Sequence, residues 1–405
     1  MQKLPHMLRD ALTVSLCLIT LGAFWYSKSK FQRCTQESVL VNGSNENVYM
    51  NRLENVMYNY SLWTPFFDRK GYYGGKDLPR ILLWTAIYGK WHSGLTDQRV
   101  DELEFAGCPD RCYIANDRRL LHSSDAVVLY GADLDLADMP WRRNRGQKWV
   151  YWSLEPPPHS VFRSLTYLNN TFNWTMTYRQ DSDVLDSYVL SLTKKAEPTP
   201  YSIDALRRLW EGKTTMAVWP VSHCNTFGRR EDYVDELQKY IAADVFGKCG
   251  KHRCERDTTP RCHMMFAKNY FFLLSFENAV CKDYVTEKLY YTLLYDIIPV
   301  VFGGANYSAV APPGSYIDAL SFESPKHLAD HLTSVAEDFN LYKSYFSWKG
   351  KYDLVPWTGI TFCNLCSKLY SEHFRRSTVY EDILYWWNAT SHCRVWDRYS
   401  NQLLE

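Results

Sequence analysis

From Arg80 onward, short apolar runs of strand length alternate with stretches whose apolar residues recur at a helical period. The runs Ile81–Tyr88, Ala126–Tyr130, Trp149–Ser153, Thr215–Val221, Asp244–Phe246, Tyr270–Phe276 and Ile298–Phe302 are read as strands. Helices lie between the later ones. Over Arg230–Ile241, residues Tyr233, Leu237, Tyr240 and Ile241 fall at i, i+4, i+7 and i+8, one face of a 3.6-residue repeat. Tyr284–Tyr295 opens beside Asp283 and Glu287, acids that suit the positive end of a helix. Pro325–Glu337 follows Ser324, a fitting N-cap. Alternation of this kind builds parallel sheets covered by helices, the α/β class. A break at Glu197-Pro198-Thr199-Pro200 divides the pattern. The expected architecture is therefore two doubly wound domains, 79–200 and 201–350, facing across a cleft with ligand at the carboxyl ends of the strands.

Outside these blocks the pattern changes. Ala11 to Tyr26 is 16 residues without a charge, bracketed by Arg9-Asp10 and by Lys28, Lys30 and Arg33. That length suits the thinner bilayers of the early secretory pathway. A cleaved signal peptide would end in small residues, whereas bulky Phe24-Trp25-Tyr26 closes this segment, so it reads as an uncleaved transmembrane signal anchor. Residues 1–10 are then a cytoplasmic tail, 27–78 a polar lumenal stem, and 351–405 a C-terminal tail carrying disulfide-type cysteines. Flanking charge is basic on both sides and leaves the orientation open. Six Asn-x-Ser/Thr sequons (Asn42, Asn59, Asn169, Asn173, Asn306, Asn388) and 12 cysteines, eleven of them beyond the anchor, favour the lumen, where both can be modified.

Composition narrows the function classes. Lys+Arg of 46 against Asp+Glu of 45 leaves a net charge of +1, without the basic footprint of a nucleic-acid binder. Aromatics reach 16%, with 15 Trp and 30 Tyr, enough for a large core and for sugar-binding surfaces besides.

The densest chemistry lies in Ser275-Phe276-Glu277-Asn278 followed by Lys282-Asp283-Tyr284-Val285-Thr286-Glu287-Lys288. A strand runs into a loop, and a helix begins with an acid and a base side by side. A helix start offers free N–H groups to an anion. Lys288 adds a mobile full charge for a pyrophosphate, and Glu287 can accept a pair of ribose hydroxyls. An ordinary solvated Glu-Lys pair explains the dipeptide equally well.

These segments, with Ile298-Pro299-Val300-Val301-Phe302-Gly303 and Ala311-Pro312-Pro313-Gly314-Ser315-Tyr316, closely resemble the α1,3/α1,4-fucosyltransferase family. The resemblance continues through Asp125-Ala126-Val127-Val128, Thr177-Tyr178-Arg179-Gln180-Asp181-Ser182-Asp183, Val221-Ser222 with Arg230, and Tyr345-Phe346-Ser347-Trp348-Lys349, covering roughly 80 to 350. It implies two Rossmann-like domains in the GT-B arrangement, an inverting mechanism and GDP-fucose as donor. It implies no strict metal requirement, with stimulation by Mn or Mg left open. Ser222, Arg230, Asn278, Tyr284, Glu287 and Lys288 fall where the family holds nucleotide, ribose and pyrophosphate. Arg230 suits this physically, because its planar fork can grip phosphate oxygens in two places. Trp149–Glu155 is an apolar strand ending in a carboxylate held by Pro156-Pro157, at the position of the family's catalytic base. Partial burial there would raise the carboxyl toward proton acceptance. The implied reaction is fucosyl transfer to a GlcNAc hydroxyl of glycoprotein glycans, with Glu155 as base and Arg230 and Lys288 facing the pyrophosphate. The implied place is the Golgi cisterna membrane as a single-pass type II protein, with a homodimer one allowed assembly and no nucleic-acid partner. Cys281-Lys282-Asp283 and the Cys363/Cys366 tail resemble core-type invertebrate or plant members.

Two residues depart from the family pattern. Pro156 replaces a usually small residue, and His223 replaces an Asn; both encourage the alternative of a Golgi lectin-like or chaperone protein with a decayed site. Asp181-Ser182-Asp183 has the form of a metal-holding DxD, but a second DxD at Asp133-Leu134-Asp135 shows how weak that signal is. Cys363-x-x-Cys366 and Cys108-x3-Cys112 read as disulfide partners rather than zinc ligands in a lumenal chain. His92, His223 and His263 are unclustered in sequence and read as structural.

Overall fold

The computed structural model describes residues 78–90, 103–104, 110–160, 163–254, 259–356, 362–371 and 378–405. The expected tail, anchor and most of the stem lie outside them. Among the described residues no helix is long and apolar enough to cross a membrane.

Seven strands form the first sheet: β1 (Arg80–Leu83), β2 (Leu103–Glu104), β3 (Tyr113–Ala115), β4 (Ala126–Tyr130), β5 (Lys148–Ser153), β6 (Trp174–Thr177) and β7 (Val184–Leu185). Their order is β2-β3-β1-β4-β5-β6-β7, and every pairing is parallel except that of β2 with β3. All residues of β4 and β5 are buried, which is why these strands read as continuous apolar runs instead of alternating.

After the β8 strand (Val189–Lys194), five parallel strands make the second sheet: β9 (Thr215–Pro220), β10 (Ala243–Phe246), β11 (Tyr270–Phe276), β12 (Ile298–Phe302) and β13 (Ile317–Asp318). Their order, β10-β9-β11-β12-β13, reverses direction between β9 and β11. The two doubly wound sheets expected from the alternation are present. A ribbon of β8 with β14 (Tyr352–Pro356) brings the chain back from the second half to the first.

Helices flank both sheets: α1 (Pro157–Ser160), α2 (Ile203–Glu211), α3 (Arg230–Leu237), α4 (Thr259–Asn269), α5 (Glu287–Leu293), α6 (Tyr307–Val310), α7 (Pro325–Glu337), α8 (Phe339–Ser344), α9 (Cys363–Tyr370) and α10 (Ile383–Asn388). Ser324 caps α7 by accepting the His327 N–H, as expected of it.

Three elements differ by more than one residue from the sequence reading. The first strand stops at Leu83 instead of Tyr88, because the Thr85 hydroxyl takes the Tyr130 N–H at 2.6 Å in place of a ladder carbonyl. The helix at 230 ends at Leu237, where tighter turns carry the chain through Tyr240 and Ile241. The helix expected from Tyr284 begins at Glu287. Asp283 is left-handed (φ 61°), and the Glu277 carboxylate accepts the Thr286 N–H at 2.8 Å, ending the loop there.

The described residues of the expected C-terminal tail, 351–405, pack into the core. Leu365, Ile383 and Trp387 are fully buried in the same core as β4 and β5. Cys112–Cys366 ties α9 to the first sheet. A closing hairpin of β15 (Val395–Asp397) and β16 (Gln402–Leu404) lays Trp396 against Tyr233 of α3.

Candidate active site

Glu155 stands just past the carboxyl end of β5, on a rigid mount. Its carbonyl accepts the Ser153 hydroxyl at 2.9 Å and the Ser160 hydroxyl at 3.1 Å, while Ser160 also reaches the Pro156 carbonyl at 3.0 Å. The prolines start α1 directly after the carboxylate. Pro156 thus belongs to this anchored turn, and Glu155 is partly exposed. The Tyr284 hydroxyl donates to Glu155 Oε2 at 3.3 Å from the loop that follows β11. Tyr284, expected with the nucleotide, has its hydroxyl on this carboxylate.

The second sheet presents its groups at the β9/β11 reversal, where doubly wound sheets take ligands. Ser222 lies exposed on the loop after β9, which Cys224–Cys249 clips to the loop after β10. Gly247 (φ 95°) lets those loops touch, since a Cβ there would strike the Val221 carbonyl. Arg230 at the start of α3 is buried. Its Nη1 donates to the Phe276 carbonyl at 2.5 Å and Nη2 to the His223 carbonyl at 3.2 Å. Burial pushes its guanidinium down from the usual range, although arginine keeps its charge in proteins. Arg230 Nε and Asn278 Oδ1 are buried polar atoms with no partner, the kind of groups a polar ligand completes.

Lys288 is not the mobile charge expected of it. Its Nζ donates to buried Glu277 Oε2 at 2.9 Å and to the Thr286 hydroxyl at 2.6 Å, with half-exposed Glu287 Oε1 at 3.6 Å. Burial works against this cation, but Glu277 and Glu287 outweigh it and hold its proton above the usual lysine range. Lys288 is therefore a fixed positive charge, and Glu277, read from the sequence only as part of a motif, is the group that fixes it.

The histidines sit closer together than the sequence suggests. His159 of α1 and His223 of the second half lie with ring centroids 5.4 Å apart, so His223 is not isolated. His159 Nε2 is buried without a partner. Burial pushes its imidazole below the ordinary value, with His223 and Arg230 acting the same way against the pull of Glu155. His263 stacks on Tyr295, as a structural histidine would, and His92 lies outside the described residues.

Asp181-Ser182-Asp183 serves the junction between the halves. Asp181 accepts Arg179 Nε at 2.8 Å and Nη2 at 2.6 Å and also Lys282 Nζ at 3.1 Å; Asp183 accepts the Tyr380 hydroxyl at 2.7 Å. Arg179 is wholly buried and reaches onward to the Trp386 carbonyl, Thr390 and Ser391. Cys281–Cys393 fastens the same C-terminal stretch to the motif loop, and Cys254–Cys262 closes α4. Cys363 is disulfide-bonded as well.

Both halves of this arrangement match known sequences. The family model described as glycosyltransferase family 10 (fucosyltransferase), C-terminal, matches residues 210–386, and that described as fucosyltransferase, N-terminal, matches 76–189. The chain is 38% identical over 345 residues to alpha-(1,3)-fucosyltransferase C of Drosophila melanogaster, covering 78% of this chain and 79% of that one. It is 32% identical over 332 residues to glycoprotein 3-alpha-L-fucosyltransferase A of the same fly, covering 79% of this chain and 62% of that one. A crystal structure of an alpha1,3-fucosyltransferase with GDP aligns at TM-score 0.47 and 14% identity, over 81% of this chain and 98% of the other. By the two family models and the 38% identical fly relative, the chain belongs to glycosyltransferase family 10, the fucosyltransferases, and is a glycosyltransferase.

Proposed function

We propose that this chain transfers L-fucose with inversion from GDP-β-L-fucose to a GlcNAc hydroxyl, O3, of glycoprotein glycans. The observation that carries the reading is the Glu155 carboxylate, anchored at the end of β5 and met at 3.3 Å by Tyr284 from the opposite half. That contact supports a base on one sheet working with nucleotide-binding groups on the other. In the reaction Glu155 takes the acceptor O–H proton, that oxygen bonds to fucose C1, and the bond from C1 to the β-phosphate breaks, releasing GDP. The transition state has oxocarbenium character, as in inverting glycoside hydrolysis. Ser222, Asn278, Glu287 and Arg230 are the proposed nucleotide and phosphate contacts. Lys288 supplies fixed positive charge toward the leaving group. Such preorganised groups are worth about 10²–10³ in rate each.

The disulfides support an oxidising compartment, consistent with a lumenal, membrane-anchored Golgi enzyme. The test uses the full chain in detergent with GDP-fucose, an N-acetyllactosamine acceptor and a trimannosyl-chitobiose N-glycan core, with and without chelator. Fucose on a GlcNAc O3, retained in chelator, is the expected result. Glu155→Ala should abolish transfer while GDP still binds; transfer by that variant would sink the assignment of the base.

A further inference from the structure

The first sheet is doubly wound in its own right. Its parallel strands run β3-β1-β4-β5-β6, so the winding reverses between β1 and β4. Such sheets take ligands in the crevice beyond that reversal. The segment that leaves β1 there ends in a tight turn: Ile87 N–H donates to the Lys90 carbonyl at 2.9 Å, and Lys90 N–H returns to Ile87 at 3.1 Å. Tyr88 and Gly89 between them have φ of 49° and 69°, the pattern of a type I′ turn. Asp133 pins this turn by accepting the Gly89 N–H at 3.0 Å. Gly89 suits its place. Tyr88 does not, because the first central position favours Asn, Asp or Gly, and a bulky residue in left-handed backbone is strained.

Burial does not compensate for that strain, since Tyr88 is 54% exposed. Its ring meets Tyr130 edge-on at 5.5 Å, and Tyr130 meets Trp152 at 5.0 Å, so a buried row of rings supports it from behind. The remaining surface is open. Partial burial of the phenol and the adjacent Glu155 carboxylate push it up to about 12, so it stays protonated and able to donate. A strained, exposed side chain at a ligand-binding crevice, backed by rings that lead through Trp152 to the end of β5 where Glu155 is mounted, is a functional arrangement in search of a ligand.

We propose that Tyr88 is the acceptor platform: its exposed ring receives the apolar C–H face of an acceptor pyranose. The proposal rests on the reading of Glu155 as the base for an acceptor hydroxyl. Tyr88 then determines acceptor recognition and leaves the nucleotide to the second sheet.

The deciding variant is Tyr88→Asn, which suits the turn and removes the ring. It should melt at the same temperature as the wild type or higher, and bind GDP within twofold by calorimetry. Its KM for N-acetyllactosamine or the N-glycan core should rise about tenfold, the size of one aromatic contact. Tyr88→Phe keeps the ring and should hold the acceptor KM within twofold; a rise like that of Tyr88→Asn would overturn the platform. An acceptor KM within twofold of wild type in well-folded Tyr88→Asn overturns the proposal. Saturation-transfer NMR with the same two glycans and GDP provides a readout independent of turnover. Were the wild type to transfer no fucose, the reaction reading would fall, yet this arm would still decide Tyr88. Glycan signals lost in Tyr88→Asn support the platform; signals retained there, or absent from the wild type, remove it.

Discussion

The Tyr284 hydroxyl lies 3.3 Å from Glu155 Oε2 across a sequence separation of 129 residues, a hydrogen bond that runs from one half of the site to the other. If its work is to orient the base, Tyr284→Phe should lower kcat about tenfold, the scale of a hydrogen bond to a charged group. GDP affinity should stay within twofold. Calorimetry of GDP binding separates this from a nucleotide contact, which would show as weakened binding.

Lys288 and Glu277 form a pair whose carboxylate is buried. Lys288→Ala should therefore lose stability as well as activity, by about 3–5 kcal/mol for a stranded buried charge. Glu277→Gln combined with Lys288→Met removes both charges and should recover most of the stability without recovering transfer. Denaturant melts and turnover measured on all three proteins check it. Recovered transfer in the double variant would show that the Lys288 charge has no part in the reaction.

Asp186 gives a pH dependence. It is buried against the Trp152 indole N–H at 2.7 Å, and burial pushes its carboxyl from 3.8 up to about 7. The folded state thus holds the proton more tightly than the unfolded one. Its stabilising effect is complete below pH 4 and is lost as pH rises to about 7, on the order of 4 kcal/mol over the interval. Asp186→Asn still accepts the indole N–H and does not titrate. Its melting temperature relative to wild type should climb between pH 5 and pH 8, whereas a constant difference would contradict the buried proton.

Arg179 fixes the C-terminal segment through Asp181, Trp386, Thr390 and Ser391. Arg179→Lys cannot reproduce that fork. It should destabilise the protein by several kcal/mol, an estimate drawn from broken buried networks. Deleting 378–405 should leave no cooperative thermal transition, since Ile383 and Trp387 belong to the first core. A sharp melt of the truncated chain would show that the segment is dispensable.

Much of this protein was determined by local sequence alone. β4, β11, β12 and α7 have the bounds that periodicity and capping predict, because continuous burial and an N-cap are local properties. The motif residues were visible for the same reason, being contiguous. What contacts them was not. Whether Lys288 is mobile or fixed depends on Glu277, whose carboxylate reaches it only after β11 and α5 pack together through Ser275 and the Lys288 carbonyl at 3.0 Å. The His159–His223 approach, the Tyr284–Glu155 bond and the burial of Trp387 each join residues far apart in the chain. The left-handed Tyr88 is local, but its strain was hidden, because an apolar run ending in tyrosine looks like strand until Thr85 takes the Tyr130 N–H. Periodicity encodes which face of an element is buried; only packing decides which side chain waits on the other side.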